Sequence, residues 1–84
     1  MKTTPESNEY RKIESEVKKV EGVKGIEELY IHRFGIYEMV NLCIFVDGNI
    51  TVKDGDKIAD KVEEMLKNEN EFIKKVNVHF HPNK

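Results

Sequence analysis

The chain has 84 residues, 36% of them charged, with a formal net charge of −2 and Cys43 as its single cysteine. That length makes one small domain that buries only about 60% of the surface of its unfolded chain, and one cysteine excludes an internal disulfide, so a bound metal or self-association is left as reinforcement. Interspersed charges of both signs exclude a basic footprint for nucleic acid, and no apolar run approaches the roughly 20 residues of a membrane span or forms a signal-peptide core.

Met1 to Thr4 read as a disordered start, and Thr4-Pro5 as a helix entry, a capping hydroxyl followed by proline at the first helical position. Tyr10, Ile13, Val17 and Val20 then recur at spacings of three and four, the apolar face of a first helix that Gly22 and Gly25 end. Leu29 to Phe34 (LYIHRF) is β-branched and aromatic and reads as a strand. Gly35 turns the chain into a longer strand, Tyr37 to Asp47 (YEMVNLCIFVD). Its even-numbered members Val40, Leu42, Ile44 and Val46 are aliphatic, whereas Met39, Asn41, Cys43 and Phe45 make a mixed face. Asp47-Gly48-Asn49 breaks the strand, and Thr51 with Asp54 opens a second helix carrying Val52, Ile58, Ala59, Val62, Met65 and Leu66, which ends near Lys67-Asn68. Residues 73–81 form a last strand, halted by Pro82. The order α-β-β-α-β predicts an α+β two-layer sandwich, with both helices on one face of a three-stranded mixed sheet. Residues 1–9 are read as an extension and helix start, 10–82 as the domain, and 83–84 as a tail.

The helices can cover only one sheet face. Met39, Cys43, Phe45, His79 and His81 are left on the other, a surface that soluble monomers rarely leave open, so a homodimer is expected. His79 and His81 stand two apart on a strand and therefore share a face. They are either two solvated histidines near a chain end or two imidazoles converging on one divalent ion, most plausibly zinc. Cys43, on the neighbouring strand with matching parity, is either a small buried hydrophobe or a third ligand. A lone cysteine also fits a reducing compartment. Asp56 in the first turns of the second helix either complements the helix dipole or supplies an oxygen ligand. His32 reads as an interface or surface residue. No set of nucleophile, base and orienting group can be assembled, which argues against an enzyme.

Four stretches carry a family resemblance: Val20-Glu21-Gly22-Val23, Leu29 to Gly35 (LYIHRFG), Thr51 to Val62 (TVKDGDKIADKV) and Val78-His79-Phe80-His81-Pro82. In this order and spacing the chain, over residues 11–82, resembles the cytoplasmic C-terminal domain of cation diffusion facilitators, transporters that export zinc and other divalent cations. The resemblance implies a metallochaperone-like (ferredoxin-like) domain on the cytoplasmic side of the cell membrane. Such a domain follows a transmembrane transport domain, dimerises, and binds metal at the subunit interface to favour transport. It implies metal-ligating positions at His79, His81, Asp56 and Cys43, with Glu27 near a further one. The chain departs from the family pattern in having imidazole for carboxylate at 81, carboxylate for imidazole at 56 and thiolate for imidazole at 43. It is expected to be an excised domain or a free-standing homologue. A regulatory metal-sensing dimer is therefore the leading expectation. A metal-independent dimerisation or partner-docking module and a soluble metallochaperone-like carrier are the alternatives.

Overall fold

The structure, a computed structural model, describes residues 7–83. It contains α1 (Ser7–Lys18), β1 (Gly25–Phe34), β2 (Tyr37–Asp47), α2 (Val52–Glu69) and β3 (Ile73–Asn83). The expected α-β-β-α-β order holds, and β2 matches the residues anticipated for it. The expectations for Met1 to Thr4 and for a Thr4-Pro5 helix entry fall outside the described residues.

The sheet order is β1-β2-β3, antiparallel between β1 and β2 and parallel between β2 and β3. A parallel pair needs a crossover, and α2 supplies it. Thr51 caps that helix, its Oγ1 accepting from the Asp54 amide at 3.1 Å. Val40, Leu42, Ile44 and Val46 of β2 meet Ile13 and Val17 of α1, Val62 and Leu66 of α2, and Ile73 and Val76 of β3 in one core. Val17, Val40, Ile44 and Val62 are fully buried, so both helices lie over the aliphatic parity of β2.

Two glycines are required by conformation. Gly35 has φ +63 at the turn joining Phe34 to its partner Tyr37. Gly22 has φ +99 and passes so close to α2 that a Cβ there would stand 2.6 Å from the Ile58 side chain.

Four boundaries differ from expectation. The first helix stops at Lys18, where the Lys19 and Val20 amides tighten onto the Glu16 and Val17 carbonyls, so Gly22 and Gly25 do not end it. α2 runs to Glu69, just past the expected Lys67-Asn68. β1 begins at Gly25, four residues before Leu29, because the Lys24 amide already donates to the Phe45 carbonyl at 2.7 Å and starts the ladder. β3 continues through Pro82 to Asn83, since an edge strand can present a residue that lacks an N–H on its unpaired side.

Candidate metal centre

The outer face of the sheet carries the polar parity of β2. Asn77 Nδ2 donates to Asn41 Oδ1 at 2.8 Å across β2 and β3, which orients both amides within that face. Further along, the parallel register sets Cys43 opposite His79 and Phe45 opposite His81. Strand pleating therefore puts both histidines and the cysteine on the side away from the helices, as their spacing implies.

Glu27 arrives by a different device. Pairing between β1 and β2 shifts between Ile26, opposite Ile44, and Glu28, opposite Cys43. Glu27 is the extra residue of this β-bulge. Its consequence is visible in the packing, because Ile26 and Leu29 both rest on the core although three residues apart. Without the bulge, alternation would turn one of them outward. The bulge thereby frees Glu27 to reach along the outer face towards Cys43.

Three donors converge there. His81 Nδ1 lies 2.8 Å from Glu27 Oε1, the Cys43 thiol donates to the same oxygen at 3.4 Å, and Cys43 Sγ is 3.7 Å from His81 Nδ1. One donor atom from each falls within 4.8 Å of the other two. Cys43 is buried, whereas the side chains of His81 and Glu27 are 58% and 39% exposed, so the group is a shallow site floored by sulfur. Burial first, then the hydrogen bond and charge of Glu27 and the charge of Glu28, push the thiol up from 9.0 to about 11. Near neutral pH the sulfur keeps its proton and is a poor nucleophile, which argues against a catalytic thiol.

The structure thus brings together Glu27, Cys43 and His81 from the residues singled out in the sequence. His79 shares their face, level with Cys43, and is exposed, but lies outside the three-donor group. Asp56 also lies outside it. It is exposed on α2, which packs on the other sheet face, where Gly55 sits so close to the Phe80 ring that a Cβ would overlap it. His32 is an exposed surface residue. The one signal for Glu27 in the sequence was the resemblance, because an unpaired bulge residue leaves no mark in hydrophobic alternation.

The same outer face exposes Tyr30 by 53% and, towards the hairpin, Phe34 by 59% and Tyr37 by 43%, with Met39 half-buried near them and Phe45 half-buried at the donor end opposite His81. No helix among the described residues is long and apolar enough to cross a membrane.

A family model described as cation efflux protein, cytoplasmic domain (ZT_dimer) matches residues 5–83. No curated protein matches the chain by sequence. Among solved structures, a cysteine-to-serine variant of the MamM C-terminal domain superposes with a TM-score of 0.90 at 20% identity, covering 96% of this chain and 100% of that one. The nickel form of a glutamate-to-histidine variant of the same domain gives 0.88 at 22%, covering 93% and 99%. The manganese form of a glutamate-to-aspartate variant gives 0.88 at 20%, covering 93% and 99%. At such identities these likenesses establish the two-helix, three-stranded fold.

Proposed function

Because the chain belongs to the family of cation efflux protein cytoplasmic domains, we propose that it is a dimerising, metal-sensing regulatory domain with no catalysis of its own, and that zinc is the ion it senses. The observation that carries this reading is the convergence of a carboxylate oxygen, a thiol sulfur and an imidazole nitrogen on the open sheet face. A mixed oxygen, sulfur and nitrogen set suits a borderline cation such as zinc, whereas magnesium and manganese favour oxygen donors. That MamM domains carry nickel, cadmium and manganese forms supports divalent-metal binding on this fold.

In the proposed set Glu27, Cys43 and His81 hold the ion, and His79 is the candidate for a fourth position, since structural zinc takes four ligands. Asp56 is left out of the set because α2 covers the opposite face. When bound, the cation supplies positive charge that draws the proton from the coordinating thiol. Cys43 and His81 must both present unprotonated donors, so binding releases protons and weakens in acid. The second copy would cover the aromatic outer face, the same sheet face that carries the metal set, and join occupancy to subunit approach. In the parent protein this would act on a transmembrane transport domain from the cytoplasmic side.

A second reading, a dimer that needs no metal, is favoured by the 2.8 Å contact of Glu27 with His81, which satisfies both groups without an ion. Calorimetry of zinc binding, paired with sedimentation equilibrium in chelator, separates the two. Cys43→Ser and His81→Ala should each weaken zinc at least about tenfold, and the chelated protein should sediment at about twice the monomer mass. Equal affinity in all variants, or none in any, would leave the metal-free dimer, and a monomer with and without zinc would overturn both.

A further inference from the structure

At the hairpin end of the sheet, on the helix side, three charged residues from three elements meet. Arg33, near the end of β1, reaches Glu9 Oε1 in the first turn of α1 with Nη2 at 2.8 Å, and Glu38 Oε2 at the start of β2 with Nε at 3.3 Å. The Glu38 side chain is only 12% exposed. Its Oε1 is shut off from water and accepts no hydrogen bond from any described group. The Glu9 carboxyl, held by the same guanidinium, is a side-chain hydrogen-bond neighbour of the Glu38 carboxyl. Among the described residues two carboxylates crowd one guanidinium in a partly closed space and repel each other, and an ionised Oε1 there would have no described donor. A proton on Glu38 resolves both problems, because the O–H then donates to Glu9. Burial, the Glu9 hydrogen bond and the Glu9 charge all raise the Glu38 carboxyl above its ordinary value, against the opposing pull of Arg33.

We propose that Glu9, Arg33 and Glu38 form a proton-operated latch: one proton held between the two carboxyls fastens the first turn of α1 to the β1–β2 hairpin, and loss of that proton to solvent releases the turn. Glu38 cannot yield, since its backbone is fixed in β2 and its amide donates to the Phe72 carbonyl at 2.8 Å. Glu9, on the first turn of the helix, is the member that can leave. Among the described residues, the cavity that Glu9 lines is also lined by Lys12 and Glu16 on α1 and Glu69 on α2, while β3 presents the apolar Ile73. The next residue of α1 reports the release. The Tyr10 hydroxyl accepts from the Ile31 amide at 3.2 Å on edge strand β1, and departure of the first turn uncovers that amide. Ile13 and Val17 are buried, so the rest of α1 stays packed.

The proton is held more tightly in the latched state than in the released one. Release therefore grows as pH rises above the ordinary glutamate value and levels off once Glu38 has ionised. The test is amide exchange of Ile31 in the whole chain, read by NMR over a pH series and divided by the intrinsic exchange rate, with the Glu38 carboxyl shift followed in the same samples. Protection should fall by about tenfold per pH unit across that window, with a midpoint matching the carboxyl titration. Glu38→Gln, which keeps a donor towards Glu9, should remain protected and lose the pH dependence. Glu9→Gln, at a more exposed position, should also flatten the profile and decides the matter if the first variant does not fold. A flat profile in the parent chain, an ordinary Glu38 titration, or an unchanged slope in a folded variant would overturn the latch.

Discussion

Replacing Val17 by Ala tests whether α1 is an integral wall of the domain. Val17 is fully buried in the core shared by the sheet and both helices. The change deletes two methyl-sized carbons, about 1.6 kcal/mol of lost burial at ~0.8 kcal/mol per carbon. A cavity of roughly 40–50 Å³ adds about 1 kcal/mol at ~24 cal/mol per Å³. Alanine recovers about 0.5 kcal/mol through its better helix propensity. The net expectation is a loss of about 2 kcal/mol, a large part of the ~4–12 kcal/mol that a chain of this size commands. In thermal unfolding this is a fall in Tm of roughly 8–16 °C. The comparison needs fixed protein concentration, since self-association raises apparent stability. Ser15→Ala, on the exposed side of the same helix, should stay within about 0.5 kcal/mol of the parent. A Val17→Ala protein as stable as Ser15→Ala would refute the reasoning and make α1 a detached appendage.

Two further outcomes follow from the same geometry. The Cys43 thiol is raised from 9.0 to about 11 in the folded chain, so the native state holds this proton more tightly than the unfolded state does. Its contribution is complete below 9.0 and disappears as pH climbs to about 11. Denaturant titrations across that alkaline range should show a steeper loss for the parent than for Cys43→Ser, and parallel curves would contradict the assigned environment. At the turns, Gly22→Ala should cost about 2–3 kcal/mol by denaturant titration, because a positive φ and the Ile58 side chain both oppose a Cβ there. Gly35→Ala should cost about 1 kcal/mol, since nothing lies within 4 Å of its missing Cβ. Equal costs would mean that the close approach of Gly22 to α2 is not maintained in solution.

Residue order alone laid out the elements and their faces, because burial writes a period into the chain. The two-residue alternation of β2 located Val40, Leu42, Ile44 and Val46 in the core and Cys43 opposite them. The three-and-four spacing of Tyr10, Ile13 and Val17 oriented α1, and the parity of His79 and His81 set them on the outer face with Cys43. Which of these donors meet depends on how the strands pair in three dimensions. The register of β3 on β2 sets Phe45 opposite His81, a pairing between strands that α2 separates in the chain. The bulge at Glu27 adds one residue without altering composition, so no period records it, yet it delivers the carboxylate to the sulfur and imidazole. Asp56 shows the converse: the two-layer reading of the sequence already set α2 on the face opposite Cys43, His79 and His81, and only the family resemblance grouped Asp56 with them. The meeting of Glu9 with Glu38 was equally hidden. Side chains 29 residues apart in the chain become neighbours only when a helix start and a strand start are packed at the same end of the sheet, and their shared desolvation has no local signature.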